Sequence, residues 1–200
     1  MIYCAVTTLL LSENEIPVAA QILRDGGLVA FRTETVYGLG ALATSPASIK
    51  KIFTAKNRPA EKQLVWQFPN LRAACAYFGD AIDTAHKNLF KAFPHGLTVI
   101  ISNGIGVRIP SDPIARRVLR ECAVPLVVTS ANTSGNQSPT TWQQVKAELD
   151  GKIDAIVMSK PCQLGVPSTI VKITTGKIEI LRQGALTPEI LAKKTGLPVN

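Results

Sequence analysis

The chain has 200 residues, of which 46% are apolar and 18% charged, a balance that indicates a folded globular protein and excludes a disordered one. Lysine and arginine number 22 against 14 aspartate and glutamate residues, which gives a formal net charge of +8. Such a basic balance favours partners that carry phosphate, such as nucleotides or RNA. At this length we expect one domain, over residues 1–200, with a sizeable core.

The cysteines do not form a metal-binding pattern. They are widely spaced without a C-x-x-C pair, at Cys4, Cys75, Cys122 and Cys162, and the chain has two histidines. We therefore expect no metal site in the protein and a reducing compartment. No basic segment precedes an apolar run at the amino terminus, and the apolar stretch 6–11 is too short to span a bilayer. These features predict a cytoplasmic protein that does not contact a membrane.

Patterns typical of helices and strands alternate along the chain. Helices are predicted over residues 12–25, 46–58, 71–78, 81–92, 113–122, 141–149 and 186–194. Strands are predicted over residues 28–31, 64–68, 97–101, 106–109, 124–129, 155–158, 169–173 and 178–181. In the second helix we expect Ile52 and Phe53 to face the core and Lys56 to face solvent. The alternation predicts a single α/β domain with a twisted mixed sheet and flanking helices.

A polar segment, residues 33–40 (T-E-T-V-Y-G-L-G), follows the first predicted strand. The hydroxyls of Thr33 and Thr35 can donate and accept hydrogen bonds, and Gly38 and Gly40 let the backbone approach a ligand closely. In an open α/β sheet, ligands bind at the carboxyl ends of strands. The segment therefore indicates a binding site, although a polar turn that only joins two elements has the same composition.

Other polar clusters follow later elements. They are Lys56, Arg58 and Lys62 after the second helix, Arg108, the serine-rich loop 130–138, Ser168 with Thr169, and Arg182. Cations together with hydroxyls suit a triphosphate. The chain has no P-loop motif. Residues 38–43 match the G-x-G-x-x-A dinucleotide pattern but lie too far beyond the strand, and no histidine has a nucleophile elbow nearby.

Six segments, taken in order, resemble the YrdC-domain family of threonylcarbamoyl-AMP synthases. They are T-E-T-V-Y-G-L at 33–39, A-K-N-R-P at 55–59, G-V-R-I-P at 106–110, T-S-A-N-T-S-G at 129–135, G-V-P-S-T-I-V at 165–171 and I-L-R-Q-G at 180–184. The resemblance covers about residues 28–184. It includes the paired K-x-R and S-x-N signature, which is Lys56/Arg58 and Ser130/Asn132 in this chain.

The resemblance implies a single YrdC-like α/β domain with a large basic concave groove. It also implies a nucleotidyltransferase that forms threonylcarbamoyl-AMP and pyrophosphate from L-threonine, bicarbonate and ATP, with Mg²⁺ accompanying ATP. A threonylcarbamoyl-transferase complex would then modify an adenosine of tRNA. Direct contact with tRNA or double-stranded RNA is a further expectation, because the groove would be basic.

Site residues are carried over by their position in the motifs. The residues expected to bind threonine are Thr33, Gln67, Arg108 and Ser168. The residues expected to bind the nucleotide are Arg58, Lys62, Ser130, Asn132, Ser138 and Arg182. Lys56 and Arg58 are expected to act in catalysis by neutralising charge, and no residue is expected to ligate a metal directly.

Several positions depart from the family pattern, including the segments 62–64 and 93–98 and four single residues. Arg32 and Lys172 add positive charge where the family has proline and aspartate, and Pro167 replaces a glutamate. Gln67 occupies the place of a threonine-contacting histidine in longer members. These departures leave open whether threonine binding is preserved. They also keep open an alternative function, a non-catalytic module that binds RNA in the basic groove. A third possibility is a carbamoyl-transfer domain like those of hydrogenase maturation proteins, which would require companion domains.

Overall fold

A computed structural model describes residues 7–200; Cys4 and the start of the 6–11 stretch lie outside the described residues. The strands are β1 (Leu9–Leu11), β2 (Val29–Phe31), β3 (Gly38–Leu42), β4 (Val65–Gln67), β5 (Leu97–Ile100), β6 (Gly106–Arg108), β7 (Leu126–Ser130), β8 (Ala155–Val157), β9 (Thr169–Thr174) and β10 (Lys177–Arg182). The helices are α1 (Ile16–Arg24), α2 (Pro46–Lys56), α3 (Leu71–Phe78), α4 (Thr84–Ala92), α5 (Pro113–Cys122), α6 (Trp142–Leu149) and α7 (Pro188–Thr195).

The strands form one sheet in the order β1-β8-β2-β3-β7-β4-β6-β5-β9-β10. The pairs β1–β8, β8–β2, β4–β6 and β5–β9 are parallel, and the remaining neighbours are antiparallel. The sheet is therefore mixed, and the predicted α/β class with flanking helices is confirmed. Within residues 7–200, none of the helices combines the length and apolarity needed to cross a membrane.

Helices cover both faces of the sheet because successive residues of a strand point to opposite sides. Phe31 of β2 packs in one cluster with Leu23 of α1 and Leu119 of α5. The adjacent Ala30 packs in another cluster with Ile52 of α2. A third cluster joins α3, α4 and α7 to β5, β6 and β9. The core thus extends along the whole sheet and holds the ends of β2, β4, β6 and β9 in fixed positions.

The polar segment 33–40 is only partly a turn, because its last three residues begin strand β3. The expectation that both glycines serve a ligand-binding loop is wrong for Gly40. A Cβ at Gly38 would lie 2.6 Å from Val128 Cγ1, and one at Gly40 would lie 2.8 Å from Phe31 Cε1. The glycines are therefore required where neighbouring side chains pass close to this buried strand.

The observed elements differ from the predictions in several places, and three of the differences are larger or bear on the site. The first strand is β1 rather than β2; it is only three residues long and pairs in parallel with β8. The helix predicted over 81–92 begins at Thr84, because Asp83 Oδ1 accepts a hydrogen bond from His86 N at 3.0 Å and caps the helix. Strand β7 extends to Ser130, one residue further than predicted, and this places Ser130 opposite Gly38.

Lys56 does not face solvent as predicted, because its side chain is only 1% exposed. Helix α2 ends at this residue, and Asn57 follows in the left-handed conformation with φ of 49°. The Lys56 ammonium donates hydrogen bonds to the backbone carbonyls of Ser130 and Asn132. These bonds satisfy a charge that could not otherwise be buried cheaply.

Candidate active site

A cleft opens beyond the carboxyl end of β2, where the polar segment led us to expect a binding site. Its volume is about 190 Å³, below the roughly 300–1,000 Å³ of sites that enclose a drug-sized ligand. A nucleotide would therefore extend beyond its enclosed part. Eight residues predicted for the site line it: Thr33, Arg58, Gln67, Arg108, Ser130, Ser138, Ser168 and Arg182.

A buried hydrogen-bond network holds Arg108 in the cleft. Its Nη2 donates to Glu34 Oε1 at 2.8 Å and to Thr35 Oγ1 at 2.6 Å. The Glu34 carboxylate also accepts bonds from the backbone N–H groups of Gly96 and Ser111, each at 3.2 Å. Burial raises the pKa of Glu34, but the charge of Arg108 and the hydrogen bonds outweigh it, so the pKa lies below its ordinary value. The network therefore fixes an ionised pair and orients the guanidinium.

Thr33 belongs to this network. Its hydroxyl donates to the carbonyl of Val36 at 2.7 Å and accepts from Thr35 N at 3.2 Å and from Arg108 Nη2 at 3.4 Å. A hydroxyl has a single proton to donate. Because that proton is already bonded to Val36, the Thr33 hydroxyl supports Arg108 and offers a ligand no free donor in this arrangement.

Two buried polar atoms in the cleft lack a hydrogen-bond partner among the described residues: Arg108 Nε and Gln67 Oε1. Gln67 and Arg108 are register partners in the neighbouring parallel strands β4 and β6, and they are 2% and 6% exposed. An unpartnered buried polar atom costs about 1–3 kcal/mol. The two residues therefore place one unpartnered donor and one unpartnered acceptor on neighbouring strands of the cleft wall.

A second part of the cleft wall is formed by residues of β5, of the segment that leads into β9 and of the end of β10. Thr98 Oγ1 lies 2.8 Å from Ser168 Oγ, and Arg182 Nη2 donates to the Ser168 carbonyl at 2.7 Å. The segment after Arg182 packs directly on this wall: a Cβ at Gly184 would overlap the carbonyl oxygen of Pro167 and the backbone of Ser168. Residue 184 must therefore be glycine for the chain to close the wall in this way.

The cleft carries positive charge that is only partly balanced. Arg58 donates to the carbonyls of Lys62 and Gln63 at 3.3 and 2.9 Å. Within residues 7–200, neither Arg58 nor Arg182 forms an ion pair with a carboxylate. Burial lowers the pKa of Arg58, and burial together with the charges of Arg108 and Arg58 lowers that of Arg182. A bound anion would relieve this repulsion.

Three residues predicted for the site do not line the cleft. Lys56 is buried and bonded to the carbonyls of Ser130 and Asn132. Lys62 is exposed and borders a separate groove beside Trp66. Asn132 is buried, and its Nδ2 donates to the carbonyls of Thr133 and Asn136 at 2.9 and 2.8 Å. The K-x-R and S-x-N pairs therefore each contribute one residue to the cleft, Arg58 and Ser130.

The four single-residue departures from the family pattern fall into two groups. Gln67 and Pro167 line the cleft. Arg32 lies outside it and forms an ion pair with Asp112, with Nε and Nη2 each 2.9 Å from Oδ2. Lys172 lies on β9 and is exposed, opposite Glu179 of β10. The two added positive charges are therefore not part of the cleft lining.

Glu34 and Thr98 belong to the hydrogen-bond network around the cleft but were not among the predicted site residues. Glu34 stands between the two threonines of the segment 33–40, but only the fold brings Arg108 to it from β6. Thr98 is the second residue of β5 and gave no signal of its own as an isolated threonine in an apolar strand. Its role depends on Ser168, which lies 70 residues away in the chain.

The fold and the cleft define an α/β protein whose sheet carries a small polar cleft between arginines and hydroxyl-rich strand ends. The Sua5/YciO/YrdC family model, described as "Telomere recombination", matches residues 21–184. The chain belongs to this family.

Individual relatives agree with this assignment. The threonylcarbamoyl-AMP synthase of Bacillus subtilis is 36% identical over 193 residues, which are 89% of this chain and 56% of that protein. The putative threonylcarbamoyl-AMP synthase of Methanocaldococcus jannaschii is 32% identical over 200 residues, 92% of this chain and 94% of the relative. The structure of Sua5 from P. abyssi complexed with L-threonine matches with a TM-score of 0.88 at 32% identity, covering 96% of this chain and 63% of that one. The chain thus spans little more than half the length of some relatives and nearly all of another.

Proposed function

We propose that this chain is an L-threonylcarbamoyladenylate synthase. In the proposed reaction, the amino group of L-threonine combines with bicarbonate to give a carbamate and water. A carbamate oxygen then attacks the α-phosphorus of ATP, a new O–P bond forms, and pyrophosphate leaves. The product is threonylcarbamoyl-AMP, which a partner complex would use to modify an adenosine of tRNA.

The observation that carries the proposal is the pair of free atoms, Arg108 Nε and Gln67 Oε1. L-Threonine can complement both, because its carboxylate accepts hydrogen bonds and its hydroxyl and amino groups donate them. An apolar pocket cannot select threonine strongly over valine, whereas a buried polar partner can. The names of the relatives and the L-threonine complex of a relative support this choice of ligand.

The nucleotide is proposed to lie toward Arg58, Arg182, Ser130 and Ser138. Arg58 and Arg182 supply charge that no carboxylate of the described residues neutralises, and guanidinium groups bind phosphate through paired N–H donors. The cleft is too small to enclose a whole nucleotide, so the adenosine would extend along its open side. ATP is therefore the proposed second substrate.

Catalysis in this proposal depends on placement and charge. The reaction joins an anionic carbamate to a polyanionic phosphate, so the two must be held together while their charge is neutralised. Arg58 and Arg182 would do this on the protein side. None of the described residues that line the cleft is acidic, and the Glu34 carboxylate beside it is already engaged by Arg108 and two backbone N–H groups. Mg²⁺ would therefore arrive bound to the triphosphate and would neutralise part of its charge.

Pyrophosphate release tests the proposal. Purified protein with ATP, Mg²⁺ and bicarbonate should release pyrophosphate only when L-threonine is added, and Arg58→Ala should reduce the rate at least a hundredfold. Arg120→Ala is the matched control, because Arg120 is exposed on α5 and does not line the cleft. Release that does not depend on threonine, or equal rates in the two variants, would contradict the proposal.

A further inference from the structure

Lys56 stands out because a lysine that is 1% exposed is rare unless its charge is paired. Its ammonium donates to the carbonyls of Ser130 and Asn132, and its own carbonyl accepts from Ser134 N at 2.8 Å. Lys56 is also absent from the cleft lining. We propose that Lys56 is a positioning residue, which fastens residues 130–136 behind the cleft and does not touch the nucleotide.

The loop that Lys56 holds is anchored at both ends by one residue of the polar segment. Ala131 N donates to the Tyr37 carbonyl at 2.9 Å, and Tyr37 N donates to the Pro139 carbonyl at 2.8 Å. Between these anchors, Thr133 N donates to Glu148 Oε2 at 2.8 Å. Asn136 Nδ2 donates to the same carboxylate oxygen at 2.9 Å. Lys56 adds attachments through both its side chain and its backbone, and among the described residues it alone binds the carbonyls of Ser130 and Asn132 through a buried ammonium.

The bonds of Lys56 also control the electrostatics of the loop. Carbonyl oxygens repel anions, and a loop beside a phosphate must keep them turned away from it. Lys56 engages the carbonyls of Ser130 and Asn132 without lining the cleft itself, while Ser130 lines the cleft. The left-handed Asn57 then turns the chain so that Arg58 reaches the cleft. The K-x-R spacing thus separates a lysine that holds the loop from an arginine that faces the ligand.

The ionisation of Lys56 is consistent with this role at neutral pH. Burial, together with the charge of Arg58, lowers its pKa to about 8, and Glu148 opposes the shift. Below that pH the side chain is an ammonium, whose hydrogen bonds to carbonyls are stronger than those of a neutral amine.

Chemical labelling of the unmodified protein separates the two possible roles of Lys56. In the proposed role, acetic anhydride should acetylate Lys56 at least tenfold more slowly than the exposed Lys50, both with and without ATP. Peptide mass spectrometry after brief labelling measures both residues in one sample. A lysine that binds phosphate would instead react readily without ATP and become protected when ATP is added. That result would overturn the inference.

Hydrogen exchange of variants without nucleotide gives a second test. Lys56→Met should speed amide exchange in residues 130–136 at least tenfold, and Lys50→Met on the same helix should leave it unchanged. Lys56→Gln keeps an N–H donor without the charge and should give an intermediate rate, which covers the case in which Lys56→Met fails to fold. Unchanged exchange in folded Lys56→Met would refute the positioning role.

The role of Lys56 beside a nucleotide rests on the proposed function. These two tests can nevertheless fail or succeed independently of that function. Both use the protein without substrate turnover, so a protein that releases no pyrophosphate can still show the slow labelling and the faster exchange. If the protein is active, Lys56→Met should raise the KM for ATP more than the KM for L-threonine. An equal rise in both would contradict a role confined to this loop.

Discussion

Gln67→Met should make the protein more stable and a poorer binder of L-threonine. The side chain is 2% exposed, and its Oε1 has no hydrogen-bond partner among the described residues. Methionine has a similar length and no strong acceptor, so the substitution removes the unsatisfied atom with little change in volume. Relief of one unpartnered buried polar atom is worth about 1–3 kcal/mol.

The expected change in Tm follows from this gain of about 1–3 kcal/mol in the free energy of unfolding. For a chain of this size, 1 kcal/mol corresponds to about 2–4 °C in Tm, so Tm should rise by roughly 2–12 °C. Loss of one hydrogen bond to the ligand should weaken L-threonine binding by about 1 kcal/mol, or roughly fivefold. Differential scanning calorimetry measures the first quantity and isothermal titration with L-threonine the second.

Gln63→Met is the matched control for this prediction. Gln63 also lines the cleft, but it is exposed, so its replacement should change the free energy of unfolding by less than about 0.5 kcal/mol. The reasoning is refuted if Gln67→Met destabilises the protein by more than about 1 kcal/mol, since Oε1 would then have a partner in the free protein. Unchanged threonine affinity would refute the assignment of Gln67 to the ligand.

Three further substitutions test the surroundings of the cleft. Glu34→Gln should cost about 3–5 kcal/mol in urea unfolding, because it leaves the buried Arg108 charge unbalanced; a cost below about 1 kcal/mol would contradict the network. Since the pKa of Glu34 is lowered on folding, its contribution is present above pH 4.5 and is lost as pH falls through the lowered pKa, so this variant should lose less stability in acid than the parent. Arg32→Ala should cost about 1–2 kcal/mol through the lost Asp112 pair, with pyrophosphate release unchanged within twofold; a larger drop in rate would place Arg32 in the site. Gly184→Ala should cost about 3 kcal/mol or more by thermal melting, because its Cβ would overlap backbone atoms; a smaller cost would show that this wall can move.

Most of the residues that line the cleft and were proposed for the site could be predicted from the sequence. Polar residues at the ends of predicted strands converge in an α/β sheet, and Arg108 follows this rule at the end of β6, whereas its neighbour Gln67 was predicted only from the family resemblance. The same rule accounts for Thr33 beyond β2 and Ser130 at the end of β7. Their roles in binding and catalysis remain predictions, as do the basic concave groove and the single-domain limits at 1–200.

The errors have particular physical causes. Position 56 lies on the buried face of α2, four residues after Ile52, but its charge suggested solvent; only the fold brings the carbonyls of Ser130 and Asn132 to the ammonium. Strand β3 was missed because glycines normally indicate turns, whereas here they admit Val128 and Phe31. The bonds of Lys56 and the close packing at the β3 glycines can be deduced only when it is known which strands are neighbours.

The free atoms of the cleft were also beyond sequence reasoning. Gln67 was expected to contact threonine through its position in a motif, not because its acceptor lacks a partner. Thr33 was expected to bind the substrate, yet its proton is donated to Val36 and its oxygen accepts from Arg108. Hydrogen-bond accounting of this kind requires the positions of all neighbouring donors and acceptors.

Incorporation of labelled bicarbonate tests the central claim most directly. The protein is incubated with [¹³C]bicarbonate, ATP, Mg²⁺ and L-threonine, and the nucleotides are separated promptly and measured by mass spectrometry. The proposed function predicts an adenylate that carries both threonine and one ¹³C atom, formed in proportion to the pyrophosphate released and absent from Arg58→Ala. Release of ADP and phosphate, or of AMP without a ¹³C-labelled threonyl adduct, would contradict it.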